Sequence, residues 1–420
     1  MEKTRLRLGE GIYLTYLPAV KFKTSFLSAQ FIAPLRRETA ALNALLPTVL
    51  CRGTEQYPDM SSFEAQLDLL YGANVESSCR KRGENQLFGF VATCIDDAFT
   101  PNGEKLLEPL AQLLGDLICH PAMEKGSLVP AYVESEKTNL IDGIRSSIND
   151  KRTYAAKRLL EEMCADEPYG LSHVGEEETA AAITPGILTT HYRRQIATCR
   201  LELYYCGTAD LERVKAAYEK AFADLSREQV AEIVPTTRRH APAEPKMVTE
   251  SMDVTQGKLS LGFRVESDDP MAAMVMNAMF GGTSNAKLFM NVREKLSLCY
   301  YASSGFHRQK SIITVASGIE FADYQRAYDE ILAQLEAMKN GDWEDWELTS
   351  AKSSIRNTLQ TMADSAGRME DFYMGQIATG QNDSPESMLA AVEAVTPERI
   401  CAAAQSVVLD TVYFLKGKEA

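Results

Sequence analysis

The alternation of apolar and polar residues along the chain predicts two runs of strands and helices in the same order. Apolar residues at every second position predict strands, and apolar residues at every third or fourth position predict helices. In the first half, the predicted strands are 12–17, 25–32, 74–81, 86–93 and 200–205. The predicted helices of this half are 39–49, 60–70, 104–118, 129–147, 151–163, 185–195 and 209–225.

The second half repeats this order. Its predicted strands are 246–254, 258–265, 299–305, 311–317 and 411–415. Its predicted helices are 270–280, 286–295, 322–338, 343–362, 386–395 and 397–406. A strand pair, helices, a second strand pair, helices and a lone strand, occurring twice, indicate an α+β fold with two homologous domains, each a mainly antiparallel sheet packed with helices.

The segment between the two runs is rich in proline, alanine and charged residues, as is typical of a linker. We therefore predict an N-terminal domain over residues 1–225, a linker over 226–245 and a C-terminal domain over 246–420. A length of 420 residues agrees with two domains of about 200 residues each.

Composition narrows the possible partners. The formal net charge is −14, which argues against a nucleic-acid groove or an anionic membrane surface. It is compatible with cationic peptide ligands, although solubility alone explains it equally well. The sequence predicts neither a signal peptide nor a membrane span, and the nine cysteines are scattered without a CxxC pair. We expect a cytoplasmic protein with reduced thiols and no membrane span.

The strongest chemical pattern lies in the second half. Gly281 and Gly282 precede Leu288 and Phe289, and the run Val-Arg-Glu-Lys follows at 292–295. Arg293, on a predicted helix, is seven residues before Tyr300, which lies in a predicted strand. A guanidinium group is a fixed cation and a phenol is a positionable donor, so both suit a developing oxyanion.

This segment resembles the second domain of the pitrilysin/insulinase-type zinc peptidases, the inverzincins, in their short two-domain form. The resemblance implies that Arg293 and Tyr300 bind the carbonyl group of a substrate peptide. The alternative is that Arg293 is a solvated charge on a helix and that Tyr300 is a strand aromatic with a hydrated hydroxyl group.

The first half resembles the same family around Gly53 and Thr54, which implies that the zinc motif HxxEH should occupy residues 44–48. Two histidines one helical turn apart would bind Zn²⁺, and the glutamate would activate the bound water. The chain instead has Ala44 and Thr48 at the positions of the two histidine ligands, and Pro47 at the position of the general base. We also expect Pro47 to disturb the helix.

The third ligand of the family, a glutamate, is expected seven residues after Glu136, and this position is Gly143. None of the five histidines lies three to five residues from another, so no local metal chelate is visible. The acidic run 176–178 reads as a solvated loop or helix start, with a site for a hard cation as the alternative. We therefore expect no metal ion or other cofactor in this chain, and zinc only in a partner.

The resemblance implies a zinc-free subunit that pairs with an HxxEH-bearing paralogue and contributes Arg293 and Tyr300 to the hydrolysis of small unfolded peptides. Such a chain would not be catalytic alone. Two alternatives stay open: a non-enzymatic structural subunit of the same fold, and a homodimeric peptide-binding protein.

Overall fold

The computed structural model describes residues 3–418. The first of its two large sheets is formed by the N-terminal half of the chain. Its six strands are arranged in the order β1-β2-β8-β3-β5-β4. A separate short pair, β6 and β7, lies outside it. The strands are β1 (Thr4–Gly9), β2 (Ile12–Pro18), β3 (Thr24–Pro34), β4 (Asn74–Arg82), β5 (Asn85–Ile95), β6 (Met123–Glu124), β7 (Ser127–Leu128) and β8 (Arg200–Gly207).

Eight helices belong to this half of the sequence. They are α1 (Arg37–Leu50), α2 (Met60–Leu69), α3 (Leu107–Cys119), α4 (Pro130–Ser146), α5 (Lys151–Met163), α6 (Glu177–Ala181), α7 (Pro185–Thr198) and α8 (Leu211–Ala221). Leucine, phenylalanine and tyrosine side chains of the sheet and of helices such as α1 and α3 form one buried cluster. The burial of this apolar surface is the main source of stability for such a layer.

The second sheet has five strands in the order β11-β12-β10-β13-β9. They are β9 (Lys246–Met252), β10 (Gly257–Val265), β11 (Cys299–His307), β12 (Ile312–Ile319) and β13 (Val407–Gly417). The helices are α9 (Pro270–Asn277), α10 (Tyr324–Asn340), α11 (Asp345–Met362), α12 (Ala366–Ala378), α13 (Pro385–Glu393) and α14 (Pro397–Gln405). Two wide turns with the i→i+5 hydrogen bonding of a π-helix cover Ala278–Gly282 and Leu288–Lys295.

Apart from the edge strand β1, which has no counterpart in the second sheet, the two sheets share one topology. In the first, β2 and β8 are parallel, while β8-β3, β3-β5 and β5-β4 are antiparallel. In the second, β9 and β13 are parallel, while β13-β10, β10-β12 and β12-β11 are antiparallel. The predicted α+β class with duplicated, mainly antiparallel sheets is therefore confirmed.

The chain divides into two compact units that are not contiguous in sequence. One unit contains residues up to 146, 171–235 and 366–381, and the other contains 147–170, 236–365 and those from 382 onward. The change at 235 falls within the predicted linker 226–245. The segments 147–170 and 366–381 each belong to the unit formed mainly by the other half of the sequence.

A buried glutamate fixes each of these two segments in its unit. Glu167 accepts hydrogen bonds from Arg264 Nη2 at 2.7 Å and from Lys310 Nζ at 2.6 Å, and all three side chains are buried. Glu370, also buried, accepts hydrogen bonds from both terminal nitrogens of Arg80 and from Ser28 Oγ at 3.0 Å. Charge-assisted bonds of this kind hold a segment in one position because breaking them leaves a buried charge unpaired.

No helix among residues 3–418 is both long enough and apolar enough to cross a bilayer.

We expect Glu167→Ala to destabilise the chain by about 3–5 kcal/mol, because Arg264 and Lys310 would stay buried without their shared carboxylate. Urea unfolding followed by circular dichroism measures this. The matched control is Glu161→Ala, because Glu161 forms only partly exposed ion pairs on α5, with Arg158 at 2.7 Å and with Lys157 at 3.6 Å. Their loss should cost about 1 kcal/mol or less. Equal unfolding free energies for the two variants would contradict this role of Glu167.

Candidate functional site

A close approach between a helix end and a strand positions the first part of the candidate site. A Cβ atom on Gly281 would lie 2.6 Å from Leu288 Cδ1 and 2.9 Å from the backbone nitrogen of Ser304 on β11. No side chain fits at that distance, so only glycine allows this approach. Ser304 Oγ also donates to Asn277 Oδ1 at 2.7 Å, which fixes the end of α9 against β11.

Arg293 lies on the wide helical turn Leu288–Lys295, whose buried residues are Leu288 and Val292. The predicted helix 286–295 is thus present, but its bonding is that of a π-helix, which is rare and frequent at functional sites. The turn ends at Ser297, whose φ of 50° is left-handed. The backbone nitrogen of Ser297 donates to the carbonyl of Arg293, and that of Leu298 donates to the carbonyl of Val292. These two bonds, from i to i−4 and from i to i−6, close the turn around Ser297 and reverse the chain into β11.

Tyr300 lies on the edge strand β11 at an irregularity in the pairing. Cys299 is opposite Ile319 on β12, and Tyr301 is opposite Gly318, so Tyr300 is an extra residue, a β-bulge. Bulges re-aim side chains and are common next to active sites. Tyr300 is 60% exposed, far more than is usual for a strand aromatic that packs on a core.

Arg293 and Tyr300 line one open cleft of about 380 Å³. The other residues that line it are Glu294, Ser297, Leu298, Cys299, Glu320 and Asp323. The guanidinium group of Arg293 lies over the ring of Phe289, 4.6 Å from its centre, and its Nη1 is 3.5 Å from Glu294 Oε1. The side chain is 40% exposed, so its donors face solvent.

The hydroxyl group of Tyr300 donates to Glu320 Oε1 at 2.6 Å. This hydrogen bond, together with the charge of Glu320, raises the pKa of Tyr300 above its ordinary value. The phenol is therefore protonated at neutral pH and can act only as a neutral donor. The sequence could not predict Glu320, which is twenty residues away and meets Tyr300 only through the pairing of β11 with β12.

The helix that should carry the zinc motif is intact but has no ligands. α1 continues through Pro47 to Leu50, so the expectation that Pro47 disturbs this helix is wrong. Ala44 and Pro47 are buried in the core. Thr48 is half-buried, and its hydroxyl group donates to the carbonyl of Leu45 at 2.8 Å within the helix.

The helix that should carry the third ligand is also intact. Gly143 lies on α4, and a Cβ atom there would meet no atom within 4 Å, so the place of the expected glutamate side chain is open. Arg52, just after α1, binds Glu136 on α4 at 2.9 Å and thereby connects the two helices. The scaffold of the site is retained while its chemistry is absent.

Zinc does not fit the residues at these positions, because alanine, proline and glycine offer no side-chain ligand and the threonine hydroxyl is used by the helix backbone. Within the described residues 3–418, no group of three or more histidine, cysteine, aspartate or glutamate side chains is arranged to hold a metal ion.

The acidic run 176–178 has ion-pair partners. Glu176 pairs with Arg37, and Glu177 pairs with Arg145 at 2.6 Å. Both carboxylates are about half exposed, and they lie at the start of α6. They stabilise a helix start, as negative charges do at the positive end of a helix dipole.

A buried polar network lies beside Ala44 on α1. Asn43 donates to Gln86 Oε1 at 2.9 Å, and Asn43 Oδ1 is 2.7 Å from Nε2 of His191 on α7. Because an amide oxygen only accepts, His191 Nε2 carries a proton. Gln86 in turn donates to the carbonyl of Ala40 at 3.0 Å. The sequence signal for this network is Asn43, a polar residue within the otherwise apolar run 40–47.

Sequence comparison finds relatives along the whole chain. The family described as "Peptidase M16 inactive domain" matches residues 182–355. The probable inactive metalloprotease YmfF of Bacillus subtilis (strain 168) is 36% identical over 413 residues, which are 97% of this chain and 96% of that protein. An uncharacterized zinc protease of Streptomyces coelicolor is 23% identical over 439 residues, which cover 100% of this chain and 91% of that protein.

Solved structures have the same fold. A conserved protein from Enterococcus faecalis V583 is 25% identical with a TM-score of 0.91, covering 100% of this chain and 99% of that chain. A peptidase M16 inactive domain from Pseudomonas fluorescens is 14% identical with a TM-score of 0.79, again over 100% of this chain and 99% of that chain. At that lower identity, the likeness shows the fold alone.

We expect the network around His191 to make the folded state sensitive to acid. Burial lowers the pKa of His191 to about 4, and the charge of Arg194 acts in the same direction. Between pH 6.5 and 4, the unfolded chain therefore binds more protons at this residue than the folded chain does. The contribution of His191 to the free energy of unfolding is complete above pH 6.5 and decreases as the pH falls towards 4. Between pH 7 and pH 5, we expect a loss of about 2 kcal/mol from this group.

Urea unfolding at several pH values measures this loss, with His191→Gln as the comparison. Glutamine can donate to Asn43 but has no titratable group, so the variant should lose about 2 kcal/mol less than the wild type between pH 7 and pH 5. Parallel pH profiles for the two proteins would show that His191 is not responsible.

Proposed function

Because this chain belongs to the M16 peptidase family as one of its inactive members, we propose that it is the zinc-free subunit of a peptidase pair. The family resemblance predicted from residues 281–300 is confirmed by these relatives. In the proposed pair, Arg293 and Tyr300 bind the substrate, and a paralogous chain with an intact HxxEH motif supplies the zinc ion and the general base. The substrates are small unfolded peptides.

One observation carries this proposal. The two donors Arg293 and Tyr300 line the same cleft on well-defined backbone, although the positions 44, 47, 48 and 143 have lost all metal chemistry. The Gly281 approach, the left-handed turn at Ser297 and the bulge at Tyr300 are three separate local constraints that meet at this cleft. A solvated arginine and an incidental strand tyrosine would need none of them.

The chemistry of the two donors suits a carbonyl group that becomes an oxyanion. Arg293 offers a permanent positive charge at any physiological pH, and Tyr300 offers one O–H group that stays protonated. Both stabilise negative charge on the carbonyl oxygen more strongly than they bind the neutral substrate, and this difference lowers the activation barrier. The hydrolytic water and its activation belong to the partner's metal centre.

We place the pair in the cytoplasm. All nine cysteines are free thiols in the structure, and each is buried or half-buried. A chain with this many unpaired cysteines fits a reducing compartment better than an oxidising one.

Arg293→Ala and Tyr300→Phe should each lower kcat/KM of the co-purified pair by about 100-fold or more, because each removes one oxyanion donor. The measurement is the cleavage of a quenched fluorescent peptide by the chain co-expressed with its HxxEH-bearing paralogue. Zinc content and co-purification of the two chains should not change, because neither residue binds the metal.

The matched controls are Arg356→Ala and Tyr328→Phe. Arg356 is 42% exposed, as Arg293 is 40% exposed, and it pairs with Glu393 outside the cleft. Tyr328 stacks on Tyr324 and does not line the cleft. Full activity of the Arg293→Ala pair would contradict the proposal and would favour a structural subunit.

A further inference from the structure

The donor that the proposed function assigns to Tyr300 is already in use in this structure. A phenol has one hydrogen atom, and the hydroxyl group of Tyr300 donates it to Glu320 at 2.6 Å. A carboxylate is a stronger acceptor than the carbonyl group of a neutral peptide. A neutral peptide therefore has to compete with Glu320 before it can use Tyr300.

Glu320 is held in place by the sheet. It directly follows β12, whose residue Ile319 is opposite Cys299 on β11. The 3₁₀ turn Phe321–Asp323 comes next, and the backbone nitrogen of Asp323 donates to the carbonyl of Glu320 at 3.1 Å. The contact between Glu320 and Tyr300 thus follows from the register of the hairpin and the bulge.

The charges around this contact favour a cation over an anion. The charged residues that line the cleft are Arg293, Glu294, Glu320 and Asp323. Two of the carboxylates have cationic neighbours, since Glu294 lies 3.5 Å from Arg293 and Asp323 lies 2.8 Å from Arg326. The carboxylate of Glu320 accepts from the neutral hydroxyl group of Tyr300, and no cationic side chain among residues 3–418 pairs with it. Glu320 can therefore accept a cation without giving up an ion pair.

We propose that Glu320 is a positioning residue that holds the hydroxyl group of Tyr300 until a cationic group of a bound peptide pairs with Glu320 and releases that hydroxyl group to the peptide carbonyl. This inference rests on the proposed function of Arg293 and Tyr300. It makes a lysine or arginine side chain near the bound carbonyl the feature that the cleft selects. The proton stays on Tyr300 throughout, and only its acceptor changes.

The test compares two hexapeptides with blocked termini that differ at one position, lysine in one and norleucine in the other. Binding to the full-length chain labelled with ¹³Cζ-tyrosine is followed by NMR, and the Tyr300 signal is assigned with Tyr300→Phe. The wild type should bind the lysine peptide about 5-fold more tightly, as expected for one partly exposed ion pair. The Glu320→Gln variant should bind both peptides equally. It should also bind the norleucine peptide more tightly than the wild type does.

Glu294→Gln is the matched control, because Glu294 lines the same cleft but does not contact the hydroxyl group of Tyr300. It should keep the preference for lysine. In the free chain, the pKa of Tyr300 should fall in Glu320→Gln, because the negative acceptor that raises it is gone. Urea unfolding of both variants checks that the fold is unchanged.

Two failures can be told apart. If the wild type binds both peptides equally and Arg293→Ala abolishes binding, the role of Glu320 is wrong and the function of the pair stands. If Arg293→Ala and Tyr300→Phe change neither peptide binding nor the activity of the co-purified pair, the proposed function is wrong, and the role of Glu320 is wrong with it.

Discussion

The reversal of the chain between Arg293 and Cys299 is the constraint on which the candidate site depends. It requires a left-handed backbone at Ser297, a conformation that costs a non-glycine residue about 1 kcal/mol or more. The two backbone hydrogen bonds from Ser297 and Leu298 and the burial of Leu298 offset this cost. Without the reversal, a helical arginine and a strand tyrosine seven residues apart would not line one cleft.

The strand that follows refines this geometry. An edge strand has one unpaired side, and the bulge at Tyr300 turns a side chain that would otherwise alternate with the sheet into the cleft. The same hairpin brings Glu320 to the tyrosine hydroxyl group. Backbone features of the second unit therefore position the side chains of the site.

The first unit is stabilised by contacts that do not involve a metal ion. α1 and α4 are regular helices that are connected through Arg52 and Glu136, and the buried apolar cluster stabilises them without a zinc ion. The polar network of Asn43, Gln86 and His191 satisfies the hydrogen bonds of its own buried groups. The fold of this unit therefore does not need zinc ligands at positions 44, 48 and 143.

Much of the fold could be predicted from the sequence, since strands and helices with strong apolar periodicity lie within a few residues of their predicted bounds. The elements that the pattern does not predict are β1, the short pair β6 and β7, α6 and α12. In α12, Gly367, Gly375 and the charged Glu370 interrupt the apolar pattern. Glu370 is buried against Arg80, and no local pattern reports a contact between residues 290 positions apart. The π-helical bonding around Arg293, the bulge at Tyr300 and the role of Glu320 depend on hydrogen-bond register, which residue types alone do not determine.

In the proposed pair, this chain completes the active site around a zinc ion that another chain carries. The most direct measurement is an activity titration, in which the purified HxxEH-bearing paralogue, kept at constant concentration, receives increasing amounts of this chain. The account predicts that the paralogue alone is nearly inactive on a quenched fluorescent peptide and that activity rises to a plateau at one chain per zinc ion. Full activity of the paralogue alone, unchanged by addition of this chain, would contradict the account.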